Sequence, residues 1–435
     1  MYGIHLTVCG VQTKLTSVKP FFGRANTIRI GGEQSPLIVR VGGTMRTNKA
    51  KYTLILVSVA IISVGIVSLS LINRNLKPSS IQQPISNETN LTLNEPIRAA
   101  LPNLVQPYKL KDKSLISTFV APSYINDTLV AFERDDSEKS TSYIDTFSRE
   151  NKVVKNIYQT PNKEIINSLV GVEDKLFWVE YGRNQEKDTK WAIKSLDLKN
   201  NQEKILYSGI SSDHIEPPVL RVFENQVSWI EKKIKEHIVY STAILYKPIT
   251  NELIRLATTE LDERGNQRKG TFMALQRPIV NGLLVQQSVF KTASDKSYEI
   301  VFYPYDQTNP ITLLESNQGI VDFTADQEWF VWSEIGKISI ADRKTGEIKY
   351  EFEAKDKDLT IDSPFIMNDH LYYRFSMYQI FDADLLTGKT EQLSIPRLST
   401  SKIFNTGSYL GFSYMDAKNN TGEVEFNIIS ADQSK

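Results

Sequence analysis

Cysteine occurs once in 435 residues, at Cys9, and histidine only four times. From residue 10 onward a disulfide framework, a cysteine-ligated zinc site and a thiol nucleophile are therefore excluded. No G-x-S-x-G elbow is present, which counts against an α/β-hydrolase domain, and no H-E-x-x-H pair offers a zinc site of that type. Glycines such as Gly265, Gly270 and Gly282 are dispersed and never precede G-K-[ST], so a phosphate loop is absent as well. A net charge is also lacking, with 51 basic and 51 acidic residues, and only one long apolar run occurs.

That run, Thr53 to Ile72, has twenty residues without a charge. As a helix it would extend about 30 Å, the thickness of a bilayer's hydrocarbon core, and it reads as a single transmembrane helix. Residues 1–52 carry eight Lys or Arg against one acid, Glu33, and form a short basic segment. The bias places this segment in the cytoplasm and the rest of the chain outside, at the cell membrane. Beyond residue 78 the count is 41 bases against 50 acids, which argues against nucleic acid as a partner. A cleaved signal peptide is the competing reading, but the run is longer than a usual signal core and no A-x-A site follows. Met45 opens a compact basic stretch, "MRTNKAKY", so residues 1–44, without clear periodicity, read as a possible start-site artefact.

Residues 73–103 read as a flexible stalk, with "PSSIQQPISNETNLTLNEPIRAALPN" rich in Pro, Asn and Ser. From residue 104 to 435 the period is that of strands. A turn followed by a short apolar strand recurs as "NDTLVAF" from Asn126, "EDKLFWV" from Glu173, "ENQVSWI" from Glu224 and "NGLLVQQ" from Asn281. It continues as "DQEWFVW" from Asp326, "NDHLYYR" from Asn368 and "TGSYLGF" from Thr406. The spacing fits a four-stranded unit, and such units stacked around an axis bury faces that none could bury alone. The expected fold is all-β, a seven-bladed β-propeller preceded by the membrane helix. "LVQPYKLKD", Leu104 to Asp112, belongs to no repeat and would close the ring by joining the last sheet. An incomplete repeat or a pair of sandwiches is the other arrangement the pattern allows.

The lax repeat, with strands such as "LYY" and "LFW" and the turn D-x-x-T-G at Asp342, Thr345 and Gly346 and again at Asp384, Thr387 and Gly388, resembles bacterial TolB-like and WD40-like β-propellers. The resemblance implies architecture and no activity, because the fold hosts binding and scaffolding modules as well as peptidases, lyases and cyclases.

Few residues offer chemistry. His214, with Asp213 and Glu216, lies between the second and third repeats, and His237 is expected to begin a third strand at the same rim. Together they are the candidate metal or acid-base group, though ordinary loop residues give the same pattern. His370 falls in a tight turn at the opposite rim. "ERDDSEK", Glu133 to Lys139, reads as an acidic connection without calcium-loop spacing, and Thr259 to Thr271 as a long insertion of mixed charge. Trp178, Trp191, Trp229, Trp329 and Trp332 are expected to pack between blades. No cofactor is implied. The functional expectation is a binding, sensing or scaffolding module for a protein, peptide or envelope component. A propeller-type hydrolase, lyase or cyclase is the alternative and requires His214 and His237 to converge with carboxylates in a polar funnel.

Overall fold

In the computed structural model the alternating β-branched and aromatic residues form strands joined mostly by short turns. The structure describes residues 5–8, 11–14, 26–30 and 37–41, and residues 105–431 apart from 116–118, 137–140, 162, 183–187, 213–214, 265–267, 307–308, 355–357, 395–398 and 416–420. The expected transmembrane helix (53–72) and stalk (73–103) lie outside the described residues. Among those described, no helix is long and apolar enough to cross a membrane.

Two compact units are present, residues 1–78 and 79–435. In the first, His5–Val8 pairs with Val11–Lys14 and Asn26–Ile30 with Leu37–Val41, each pair antiparallel. Segments such as "NTIRI" and "LIVRV" are rich in β-branched residues, which explains these hairpins where no longer period is legible.

The second unit is a series of antiparallel four-stranded meanders. Meander A is built from Tyr124–Ile125, Leu129–Asp136, Thr141–Ser148 and Val154–Gln159. Meander B follows with Glu164–Val172, Lys175–Gly182, Asp188–Asp197 and Gln202–Ser212. Meander C consists of Arg221–Phe223, Gln226–Lys235, Ile238–Lys247 and Glu252–Asp262. Meander D comprises Lys269–Ile279, Gly282–Phe290, Lys296–Pro304 and Ile311–Ser316. C and D join into one eight-stranded sheet through two residue pairs, Leu261 with Gly270 and Asp262 with Lys269. Meander E spans 320–353 and meander F 361–392. In meander G, Ser399–Thr400 and Phe404–Asn405 both pair with Tyr409–Met415, which pairs with Glu423–Ser430.

The outer strand of meander G comes from the other end of the unit. Val105–Lys111 pairs antiparallel with Glu423–Ser430 over seven residue pairs, Ile429 with Val105 through Glu423 with Lys111. This is the closure that "LVQPYKLKD" predicts, and it covers an edge that would otherwise be open.

Each interface between successive meanders holds an apolar cluster. Trp178 and Ala131 belong to the A–B cluster, Trp191 and Trp229 to B–C, and Met273 and Ile230 to C–D. Trp332 and Leu284 lie in D–E, Tyr373 and Val331 in E–F, and Tyr372 and Phe412 in F–G. Phe132 and Phe147 meet Phe426 of the last meander in G–A, their rings edge to face. The succession of clusters returns to its start, and the arrangement is that of a β-propeller. Four of the five tryptophans are buried in these clusters, and Trp329 packs partly buried against E–F.

Burial explains which strands are readable. Second strands such as Lys175–Gly182 are covered on both faces, whereas the outer strand Gln202–Ser212 is largely exposed. In meanders A to E the pairing of third with fourth strand slips by one residue at mid-length, at Ile144/Asp145, Ile193/Lys194, Ala243/Ile244, Ile300/Val301 and Ile340/Ala341. A bulge repeated at one place increases the local right-handed twist, as a blade requires. The D-x-x-T-G turns are also structural. Asp342 Oδ1 accepts from the Lys344 and Thr345 amides at 2.9 and 2.8 Å, and Asp384 Oδ1 from Leu386 and Thr387 at 2.8 and 3.1 Å. Gly346 and Gly388 then take φ of +72°, which suits residues without a Cβ.

Candidate functional site

The seven repeat starts all lie in the turn between first and second strands, and in an antiparallel meander these turns share one face of the ring. On that face the turns of meanders G, A, B and C enclose a cavity of about 730 Å³. Its walls are largely turn backbone and polar side chains: Asn126, Asp127 and Thr128 from A, Glu173 and Asp174 from B, Glu224 and Asn225 from C, and Thr406 and Tyr409 from G.

Local hydrogen bonds fix these turns. Asn126 Oδ1 accepts from the amides of Thr128 and Leu129 at 3.0 and 2.9 Å, and Thr406 Oγ1 donates to the Ile125 carbonyl at 2.8 Å. The Tyr124 hydroxyl donates to the Glu173 carbonyl, tying A to B, and the Tyr409 hydroxyl donates to the Asp127 carboxylate, tying G to A. Burial, with Asp127 adding to it, pushes the Tyr409 hydroxyl above its ordinary range, so it stays protonated and able to donate. Gly171 makes room for Tyr124, since a Cβ there would stand 2.2 Å from the ring. Arg149 joins the cavity to the closing strand: Nη1 donates to the Asn126 carbonyl at 2.7 Å and Nη2 to the Tyr108 hydroxyl at 3.0 Å.

Four carboxylates line the cavity, those of Asp127, Glu173, Asp174 and Glu224. Lys199 pairs with Asp174 at 2.5 Å. Among the described residues the other three form no ion pair. Glu173 and Glu224 are exposed and hold φ of 50° and 46°, strained for side-chain-bearing residues. A concave site with several unbalanced carboxylates attracts cationic groups and focuses the field toward its opening.

Of the expected metal group, only Glu216 and His237 are among the described residues. Asp213 and His214 fall outside the described residues. His237 is the second residue of a two-residue turn, with φ of 67°, one position before the third strand; its carbonyl accepts from the Glu263 amide at 3.0 Å. Glu216 is exposed, and Lys232 is in its electrostatic reach. Gln226–Lys235 runs from the cavity turn to the His237 turn, ten residues or about 33 Å. His237 is therefore on the far face from the acidic cavity. Among the described residues no group of three or more His, Cys, Asp or Glu side chains could hold a metal ion. His370 opens the second strand of F directly after the Asn368–Asp369 turn, with Nδ1 2.8 Å from Asp382 Oδ1.

The acidic run also differs from its expected form. Glu133 to Asp136 belong to the second strand of A, not to a connection. Burial pushes the Glu133 carboxyl up to about 7, and Asp135 adds to the rise while the Leu169 amide opposes it. Arg134 pairs with Asp145 at 2.8 Å. The cavity residues themselves were visible in the sequence as turn markers. Nothing in a linear pattern shows that four such turns converge.

No family model matches the chain, and no curated protein matches its sequence. Solved structures similar to it include the β-propeller domain of the Trilobed protease from Pyrococcus furiosus, at 13% identity over 69% of this chain and 92% of that one, with a TM-score of 0.47. A prolyl endopeptidase is similar at 11% identity and a TM-score of 0.47, covering 73% of this chain, which spans about half (51%) of that enzyme's length. BamB from Moraxella catarrhalis is similar at 10% identity over 70% of this chain and 83% of its own, with a TM-score of 0.41. At these values the likeness transfers no residue role, activity or partner to this chain.

Proposed function

We propose that this chain is a membrane-anchored, extracytoplasmic β-propeller of the TolB-like and WD40-like kind, with seven blades, that binds a protein, peptide or envelope component through its acidic turn-face cavity. The observation that carries the reading is the cavity itself, a concave site with three carboxylates that form no ion pair among the described residues. The succession of meanders A to G and their interface clusters support the blade number. The uncharged run 53–72 and the basic residues before it support the anchor and its orientation. The cavity then recognises a positively charged segment of its partner.

The test uses the full-length chain in detergent, immobilised and exposed to solubilised envelope from its own organism. A partner retained at low ionic strength should be released as salt rises, and its retention should fall at least tenfold for Glu173→Gln/Glu224→Gln. Retention indifferent to both would overturn the reading. For the anchor, Ser294→Cys, in an exposed segment of D, should react with a membrane-impermeant maleimide on intact cells while Cys9 does not. The reverse pattern would overturn the orientation.

A further inference from the structure

The first strands of meanders C to E and the first two strands of F bring an unusual set of charges together inside the fold. Arg277 meets Asp322 through two bonds, Nε to Oδ1 at 3.2 Å and Nη2 to Oδ2 at 2.7 Å. Arg374 meets Asp362 in the same manner, at 2.8 and 2.6 Å. Asp322 also accepts from the amides of Phe323 and Ser363, at 2.9 and 3.0 Å. Both carboxylates are thus engaged.

A third guanidinium, that of Arg221, belongs to the same electrostatic neighbourhood. Burial lowers its pKa to about 10, Arg277 adds to the fall, and Asp322 and Asp362 oppose it, so it remains charged at neutral pH. Its Nε is closed off from solvent without a hydrogen-bond partner. Among the described residues the Arg221 side chain forms no ion pair or hydrogen bond. Three cations face two anions, leaving one surplus positive charge. The Arg221 side chain keeps part of its surface in solvent, and a guanidinium only partly hydrated and without an anionic partner favours the arrival of one.

The groups beside Arg221 share its lack of partners. Ser228 is its cross-strand neighbour, so their side chains stand on one face of the sheet. The Ser228 hydroxyl is buried without a partner, and so is Gln226 Oε1, two residues away on the same face. A turned carboxamide would present its NH₂ group instead. A guanidinium, a hydroxyl and an amide are the donors that a carboxylate accepts from, and one carboxylate supplies the missing charge.

We propose that Arg221, Ser228 and Gln226 receive the C-terminal carboxylate of a peptide that enters over the acidic cavity. The proposal rests on the reading of that cavity as the docking site. Arg221 opens the three-residue strand that leads into the Glu224 turn, so at most about 10 Å of chain separates the two residues. An extended peptide with its carboxylate on Arg221 therefore places a basic residue about three positions upstream against the cavity acids. The acidic opening disfavours free anions, so a carboxylate delivered by a cationic peptide is favoured over a small acid.

The test is calorimetric titration of the full-length chain with pooled acetylated tetrapeptides of the form Lys-X-X-X, as free acids and as C-terminal amides, and with acetate alone. The free acids should bind at least tenfold more tightly than the amides, and Arg221→Met should abolish that difference. Glu173→Gln/Glu224→Gln should weaken both series while keeping the acid-to-amide ratio. Equal binding of acids and amides would overturn the carboxylate site and leave the cavity reading standing. An Arg221-dependent preference untouched by the cavity variant would overturn the cavity reading alone. Binding of acetate without any peptide would overturn the peptide proposal. Arg221→Met should keep the natural chain's thermal midpoint in acetate-free buffer, so that lost binding is separable from lost fold.

Discussion

At the residue scale the buried polar groups fall into two kinds. Asp322 shows the first: burial raises its pKa, but Arg277 and Arg221 outweigh that, so the carboxyl is held below its ordinary range and stays ionised. Glu133 shows the second, with no cation to oppose burial and a pKa pushed up to about 7. For an acid whose folded pKa is raised, stability is greatest below the unfolded value and falls as pH climbs through the folded one. The window runs from about 4.5 to about 7, and the loss amounts to roughly 3 kcal/mol across it. Glu133→Gln should remove this slope and leave the protein more stable than the natural chain at pH 8, as read by urea denaturation at several pH values. An unchanged pH profile would contradict the assignment. None of this was legible in "ERDDSEK", because its charge pattern looks solvated and only the strand's inward face makes it otherwise.

At the scale of elements, legibility followed burial and turn chemistry. Second strands could be read because both faces are covered and their residues are mostly apolar, as in "KLFWVEY", and third strands because burial alternates, as in "KWAIKSLDL". The turns were legible because Asn201, Asn251, Gly346 and Gly388 hold the positive φ that their residue types suit, although in A that conformation falls on Lys152. First strands escaped notice. Arg221–Phe223 and Tyr124–Ile125 are too short for a period. The direct pairing of C with D was also hidden. It depends on Gly270, whose φ is +120° and where a Cβ would stand 2.2 Å from the Glu260 carbonyl oxygen. Gly270→Ala should destabilise the chain by about 2 kcal/mol, from backbone strain and the close contact together. The check is the urea midpoint, and a shift below a tenth of the expected size would show that this junction does not constrain the fold.

At the scale of the whole molecule, the cavity exists only because the two ends of the propeller meet. Tyr409 of G reaches Asp127 of A, and Arg149 of A reaches Tyr108 on the closing strand. Ring closure was legible from a strand that belonged to no repeat, whereas the site it assembles was not, since convergence of distant turns is a property of the ring. The most direct measurement is therefore a cross-link across the closure. Lys109 and Glu425 are paired residues, with Nζ 3.8 Å from Oε2, a neighbouring position from which two cysteines can meet the geometry of a disulfide. With Cys9→Ser, the pair Lys109→Cys/Glu425→Cys should oxidise within one molecule, seen as a joined peptide by mass spectrometry. It should also raise the thermal midpoint, because it constrains a very long loop. Failure to cross-link, or cross-linking only between molecules, would contradict a ring closed by its own first strand.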